Sequence, residues 1–197
     1  NMSHEDVLSE VKDFMESIPS SAWKGAAPIF LGIDPGSTGA LAFVHARSPE
    51  SSVAVDIPTT KIVKKKKGGK SSYRTHTDLG ALWELFAMIL DNDEFSMIRV
   101  VIEHQQPIPR DTALTGFTVG RNFGMWPLFL YSHGMSHETV RPVVWKRKMG
   151  LIKKDKEAAR LQAQKMFPGA SLSRKKDHNR AEALLIAEYA RLRSSEE

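Results

Sequence analysis

The sequence IFLGIDPGSTG, residues 29–39, decides the fold of this chain. Its apolar run, bounded by Pro, Gly, Ser and Thr, predicts a buried strand that ends in a tight turn, followed by a second strand over Ala40–Ala46. A single carboxylate, Asp34, stands where the first strand ends. A buried charge needs a cation or strong donors, so this position indicates a metal or phosphate site. The equal alternative is a turn in which the Asp34 carboxylate bonds its own backbone.

Two further acids lie in apolar surroundings. The run IRVVI, residues 98–102, predicts a central strand covered on both faces, and it ends at Glu103. Near the end of the chain, Asp177 or Asn179 can cap an almost wholly apolar helix that contains Glu182. Each acid has a structural alternative, as a helix cap or as half of an ion pair.

Convergence of Asp34, Glu103 and Glu182, with Asp177 close by, would form an all-oxygen site. Such a site suits Mg²⁺ or Mn²⁺ rather than zinc or copper. Two ions about 4 Å apart would stabilise the attacking and leaving oxygens of an in-line phosphoryl displacement, so the expected partner is a phosphodiester. His104 and His178 are expected to be surface or supporting groups.

Hydrophobic periodicity predicts the other elements. Ser3–Ile18 is an amphipathic helix with a capping box of Ser3 and Asp6, and its apolar stripe is expected to pack on the core. The remaining predicted elements are a strand over Val53–Ile57, helices over Thr77–Leu90 and Thr112–Ser132, a strand over Thr139–Val144 and a helix over Asp155–Phe167.

Two unusual segments accompany these elements. Residues 64–70, KKKKGGK, predict a mobile, solvated loop, which can also track phosphates or act as a nuclear-localisation signal. Gly116, Gly120 and Gly124 share one bare helix face, which predicts close approach by another helix or a nucleic-acid backbone.

Bulk composition narrows the class of protein. A chain of 197 residues allows one sizeable core, and we expect one domain over residues 29–193, preceded by a helix and linker over 1–28. Lys and Arg number 28 against 23 Asp and Glu, and this net charge of +5 favours an anionic partner. The absence of cysteine excludes disulfides and thiolate chemistry. No apolar run approaches the roughly 18 residues of a membrane span, and we expect no membrane partner.

The order of these elements resembles that of ribonuclease-H-like nucleases, with an α/β fold in which helices flank a mixed five-stranded sheet. Within that superfamily, the segments IDPGSTGA, VIEHQ, TGFTVGRNFG, VVWKRKMG and DHNRAEALLIA resemble those of RuvC-type Holliday junction resolvases, most closely the plant chloroplast branch. The motif IDPG alone is weakly diagnostic, but the ordered set, which spans Ile29 to Tyr189, is specific.

The resemblance implies a homodimeric, Mg²⁺-dependent endodeoxyribonuclease that makes symmetric paired nicks in four-way DNA junctions. Mn²⁺ is expected to substitute, two ions per site are expected, and a chloroplast nucleoid location follows from the resemblance alone. Lys146 would lie beside the scissile phosphate. The implied catalytic residues are Asp34, Glu103, Lys146, Asp177 and Glu182, and the implied metal ligands are Asp34, Glu103, Asp177, Asn179 and Glu182.

Position 179 departs from the family pattern, because the family has an acid three residues before Glu182 and this chain has Asn179. Asp177 takes that role, or an Asp-to-Asn change was introduced to trap substrate, or the amide is natural. An amide oxygen still coordinates a cation, but more weakly than a carboxylate. We favour Asp177 as the fourth ligand.

Basic and amide side chains are the expected DNA contacts. A two-fold symmetric dimer would place two identical sites on the symmetric strands of a junction. By position alone, the segment after Glu103 is expected to contact bases. The expected DNA-binding residues are Gln105, Gln106, Arg110, Arg121, Lys146, Lys148, Lys153, Lys154, Arg174, Lys175, Lys176 and the Lys64–Lys70 loop.

Other functions remain as alternatives. The motif IDPGSTG also resembles the first phosphate loop of actin-like and sugar-kinase ATPases, but 197 residues leave no room for their second half. A catalytically silent junction-binding or RNA-binding module is consistent with Asn179. A related nuclease that acts on RNA or linear duplex is the nearest enzymatic alternative.

Overall fold

The structure is a computed structural model that describes residues 3–19, 22, 27–36, 38–65, 71–92 and 97–196. A short 3-10 helix, Lys175–Asp177, leads into the last α-helix. In chain order the helices and strands are α1 (His4–Ser17), β1 (Ile29–Asp34), β2 (Ala40–His45), β3 (Ser52–Asp56), β4 (Thr59–Lys65), β5 (Ser71–Thr77), α2 (Leu79–Leu90), β6 (Ile98–Glu103), α3 (Ala113–Ser132), β7 (His137–Val140), α4 (Pro142–Lys148), α5 (Lys156–Met166) and α6 (His178–Ser194).

The main sheet has five strands in the order β3-β2-β1-β6-β7. Strand β1 is antiparallel to β2 and parallel to β6, and β6 is parallel to β7. All six residues of β1 are buried, as expected for a strand covered on both faces. The predicted α/β fold, a mixed five-stranded sheet flanked by helices, is confirmed.

Hydrophobic clusters cover both faces of the sheet. Ile29, Leu31 and Ile33 belong to one cluster, with side chains of α1, α2 and α3. Phe30 belongs to the other, with side chains of α4, α5 and α6. This division follows from the alternation of side chains along an extended strand.

Helix α6 packs directly on β1 at Gly32. A Cβ atom at Gly32 would lie 2.2 Å from the Ala183 carbonyl oxygen and 2.6 Å from the Ala187 nitrogen, so no side chain fits there. The missing side chain lets the α6 backbone approach the central strand. The same contact brings Glu182 to the sheet.

The helix α1 confirms the prediction of core packing. Ser3 Oγ accepts a hydrogen bond from the Asp6 backbone N–H, and the Asp6 carboxylate accepts one from the Ser3 N–H, which completes the capping box. Val7, Val11 and Phe14 lie in the same cluster as the sheet. The division of the chain between residues 28 and 29 stays a prediction.

Part of the lysine-rich segment forms a hairpin that the sequence analysis assigned to a loop. Strand β4 pairs with β5 in a separate two-stranded antiparallel sheet, with Lys64 opposite Ser72 and Lys65 opposite Ser71. Residues 66–70 lie outside the described residues. The loop prediction was therefore wrong for residues 64 and 65, because a hairpin that covers no core lacks the apolar alternation that marks a half-buried strand.

The predicted strand over Thr139–Val144 was too long. Strand β7 ends at Val140, and helix α4 begins at Pro142, directly after its N-cap residue Arg141. Proline favours the first helical turn, whereas the β-branched pair that follows it favours a strand. This correction moves Trp145 and Lys146 from a strand end onto a helix.

Within the described ranges, none of the helices combines the length and the apolar character that a membrane span requires.

Candidate active site

Three buried carboxylates lie near one another, within the range of electrostatic interaction, at the edge of the sheet where the parallel strands β1 and β6 end. Asp34 is the last residue of β1, and Glu103 is the last residue of β6. The register pairs Ile33 with Ile102, so the two acids follow neighbouring positions. Glu182 reaches them from the second turn of α6. All three are buried, with 6–7% of each residue exposed.

Each of these acids accepts hydrogen bonds from a neighbouring donor. Asp34 Oδ1 accepts from the Gly36 backbone N–H at 3.3 Å and from Gln105 Nε2 at 3.1 Å. Glu103 Oε1 accepts from the indole N–H of Trp145 at 2.8 Å. Glu182 Oε1 pairs with the Lys146 ammonium at 2.9 Å. Two consecutive residues of α4 therefore hold two different acids.

The three carboxylates repel one another. Burial, followed by the negative charges of Glu103 and Glu182, raises the pKa of Asp34 to about 7. Burial also raises the pKa of Glu103, and Glu182 adds to this shift, whereas hydrogen bonds from Trp145 and Gln105 and the charge of Lys146 oppose it. The positive charge near the site, mainly that of Lys146, is therefore too small to compensate for three ionised carboxylates.

The donor chemistry of this site fits a divalent cation. Buried carboxylate oxygens with insufficient positive charge are the ligands that Mg²⁺ and Mn²⁺ prefer. Among the described residues, no three acidic or histidine side chains stand close enough in their present positions to form a ligand cluster. A bound cation would therefore draw together Asp34, Glu103 and Glu182, which now contact protein donors instead.

Asp177 faces a different set of groups. Its side chain is buried, and its carboxylate accepts hydrogen bonds from the backbone and guanidinium of Arg174, the shortest at 2.6 Å. Burial favours the protonated form, but the hydrogen bonds and charge of Arg174 hold the pKa of Asp177 below its usual value. The charges that raise the pKa of Asp34 come from Glu103 and Glu182. The structure thus gives Asp177 an arginine partner, and its role as a ligand stays a prediction.

Asn179 lies beside the turn that follows Asp34. Its side-chain amide donates to the Thr38 carbonyl oxygen and, at 3.1 Å, to Thr38 Oγ1. A carboxylate at position 179 would face that carbonyl without a hydrogen to donate. The ligand role of Asn179 also stays a prediction.

The predicted DNA-contacting residues are mostly on the surface. Arg121, on α3, contacts His76 of the hairpin, with Nη1 and Nδ1 2.9 Å apart. Lys148 pairs with Glu196. Gln105 and Lys146 are exceptions, since both are half-buried; the Gln105 amide contacts Asp34 and the Lys146 ammonium contacts Glu182. The exposed members are Gln106, Arg110, Arg121, Lys148, Lys153, Lys154, Arg174, Lys175 and Lys176.

Two features of the site were not predicted from the sequence. Trp145, whose indole N–H binds Glu103, had no predicted role, and Gln105 was predicted to contact bases rather than the acids. One signal for Trp145 was available, because a buried tryptophan usually needs an acceptor for its N–H. Nothing in the local sequence distinguishes Gln105 from Gln106.

No protein-family model matches the chain, and no curated protein sequence matches it. Among solved structures, the chain is similar to Thermus thermophilus RuvC in complex with a Holliday junction substrate, at 17% identity and a TM-score of 0.48, over 85% of this chain and 96% of that one. A second Thermus thermophilus RuvC structure matches at 19% identity and a TM-score of 0.47, with the same coverage. At these identities the likeness is one of fold.

Proposed function

We propose that this protein is a Mg²⁺-dependent endonuclease that resolves four-way DNA junctions by symmetric paired nicks. The observation that carries the proposal is the meeting of three buried, mutually repelling carboxylates, Asp34, Glu103 and Glu182, beside the ammonium group of Lys146. The ordered motifs shared with RuvC-type resolvases supply the choice of a four-way junction as substrate.

The chemistry follows from these side chains. Bound Mg²⁺ would polarise the phosphodiester and lower the pKa of the attacking water. Asp34, Glu103 and Glu182 would hold the cation through their carboxylate oxygens. Trp145 fixes the orientation of Glu103 through its indole N–H. Lys146, one-third exposed beside Glu182, would offer its ammonium group to a phosphate oxygen or to the developing oxyanion.

A basic surface supports DNA as the substrate. The chain has a net charge of +5, and the predicted phosphate-contacting lysines and arginines whose side chains the structure describes are exposed, except that Lys146 is half-buried at the site. Such contacts determine affinity and salt dependence rather than sequence choice.

An uncovered face of α3 supports a homodimer. Leu128 and Tyr131 are 72% and 82% exposed. No described atom lies within 4 Å of a Cβ built on Gly120 or Gly124, so a second helix can approach there. We therefore propose that two copies associate through α3, which gives the paired sites that two symmetric nicks require.

Asn179 favours a second candidate, a junction-binding module without nuclease activity. Its amide lacks the charge of a carboxylate and is held by Thr38. If Asn179 is responsible for the lack of nuclease activity, the Asn179→Asp variant recovers cleavage.

We also propose a chloroplast nucleoid location, supported by the motif resemblance to the plant branch. Imaging of a fluorescent fusion in plant cells tests this location.

The decisive experiment is cleavage of an immobile four-way junction in Mg²⁺, mapped on a denaturing gel, with linear duplex and RNA–DNA hybrid as controls. This chain and its Asn179→Asp variant are compared. We expect paired nicks at symmetric positions in the junction only, and their loss in Asp34→Asn. Tight binding without cleavage by both versions would identify a binding module. Cleavage of the control substrates would identify another kind of nuclease.

A further inference from the structure

The side chain of Gln105 points into the acid cluster, although the three residues that follow it face solvent. Gln106, Pro107 and Ile108 are exposed, whereas Gln105 is half-buried. Its Nε2 donates to Asp34 Oδ1 at 3.1 Å, and its amide is close enough to Glu103 to oppose the rise in the pKa of that carboxyl group. One amide group therefore acts on two carboxylates from neighbouring strands.

We propose that Gln105 is a metal-displaced cap, whose amide occupies the space between Asp34 and Glu103 until a divalent cation takes its place. The inference rests on the proposed function, because it requires that these two acids bind a cation. The inference adds a residue that controls the affinity of the site for a divalent cation.

The chemistry of the amide determines the direction of the effect. An NH₂ group carries two donor hydrogens and no lone pair suited to a hard cation, so Nε2 cannot be a ligand where it stands. A cation held by Asp34 and Glu103 would need the carboxylate oxygens beside which these hydrogens now lie. Binding therefore breaks the hydrogen bonds of Gln105, and their free energy subtracts from the metal affinity.

The position of Gln105 allows this displacement. Residues 104–108 form neither helix nor strand, and Gln105 is partly open to solvent. Rotation of the side chain would free the carboxylates without moving β1 or β6. Trp145 differs, because it is fully buried in the core and its hydrogen bond to Glu103 can persist when the cation binds.

Mn²⁺ affinity of the DNA-free protein tests the inference. Free Mn²⁺ is measured by electron paramagnetic resonance in titrations of the wild type and of Gln105→Leu, which has a similar volume and no donor. We expect Gln105→Leu to bind Mn²⁺ about tenfold more tightly, since a hydrogen bond to a charged group no longer competes. Without metal, the variant should unfold at a lower temperature, and Mn²⁺ should raise that temperature by more than in the wild type.

Gln106→Leu is the matched control, since Gln106 is the adjacent exposed glutamine. Its Mn²⁺ affinity should equal that of the wild type in the absence of DNA. If Gln105→Leu does not fold, Gln105→Ala is measured in the same way. Unchanged or weaker Mn²⁺ binding by the Gln105 variant overturns the inference, and weaker binding would identify the Gln105 carbonyl oxygen as a ligand.

A different set of results would refute the proposed function itself. If neither the wild type nor Gln105→Leu binds Mn²⁺, or if Asp34→Asn binds it as tightly as the wild type, the metal site itself is refuted and the inference falls with it. If the wild type binds, Asp34→Asn does not, and Gln105→Leu equals the wild type, only the inference falls.

Discussion

Asp34 carries a carboxyl group where its charged form is disfavoured. The turn after β1 provides one backbone N–H at 3.3 Å, whereas burial and two neighbouring acids raise its pKa to about 7. In the unfolded chain the same group has its ordinary pKa of 3.8. In the absence of a cation, the folded state therefore disfavours the ionised form of Asp34, and this lowers the free energy of unfolding at neutral pH.

This shift predicts the pH dependence of stability in the metal-free protein. Between about pH 4 and pH 7 the folded state retains a proton that the unfolded state has released, so the free energy of unfolding falls as pH rises. The full shift corresponds to roughly 4 kcal/mol. Urea unfolding in EDTA at about pH 5 and about pH 7.5 should show the part of this loss that falls between those pH values, about 2–3 kcal/mol. Asp34→Asn should remove most of it, and Asn substitution of the exposed Asp13 should not; a flat profile in the wild type would contradict the prediction.

Trp145→Phe should weaken the site through Glu103. The substitution keeps an aromatic ring in the core but leaves the buried Glu103 carboxylate without its indole donor. We expect a loss of about 1–3 kcal/mol in the free energy of unfolding, together with slower cleavage of the junction. Trp83→Phe is the control, because Trp83 is 53% exposed. Equal losses in the two variants would mean that the hydrogen bond to Glu103 contributes little.

Single residues show where sequence is informative. Asp34, Glu103 and Glu182 were recognised because a charged residue within an apolar run stands out locally. Their partners were not, because Trp145 and Gln105 reach the acids only through the tertiary fold. The arginine partner of Asp177 shows the same limit, since spacing along the chain does not determine which group a side chain faces.

At the scale of elements, Gly32 sets the distance between α6 and the sheet. Gly32→Ala would place a methyl group against the backbone of Ala183 and Ala187, so α6 must shift and carry Glu182 with it. We expect a loss of about 1–3 kcal/mol or more in the free energy of unfolding and a strong loss of cleavage. Chemical denaturation and the junction assay measure the two effects.

Gly80→Ala is the control for this substitution. Its added methyl group would meet only Asp78 Oδ1, at an ordinary contact distance of 3.5 Å, within a helix that favours alanine. Its stability should stay equal or rise. If Gly32→Ala behaved in the same way, close packing of α6 on β1 would not be a requirement of the fold.

Elements with apolar periodicity were predicted well, and the others were not. The strands β1 and β6 and the helices α1 and α2 bury a continuous or periodic set of apolar side chains, which the sequence displays. The hairpin of β4 and β5 covers no core and shows no such pattern. Helix α4 was predicted as part of a strand because its two valines favour strands. In the structure, Pro142 and packing override that preference.

At the scale of the whole molecule, the exposed side chains of α3 predict association. We expect the wild type to have twice the 22.0 kDa mass of one chain in light scattering. Tyr131→Glu should give monomers, because a charge on this apolar face opposes close approach of a second copy. Glu substitution of Leu161, which is 52% exposed on α5, should leave the mass unchanged. A monomeric wild type would refute the dimer.

The groups of the candidate site lie far apart along the chain, from Asp34 to Glu182, and α6 supplies one of them by docking on β1. A ribosome releases Asp34 long before Glu182, so a partly synthesised chain already exposes the basic residues proposed to contact DNA but lacks the helix that completes the acid cluster. A chain in which α6 has detached from β1 is in the same state. The proposed nuclease chemistry would then depend on completion of the fold, and unfinished or damaged copies of the protein would not cut DNA.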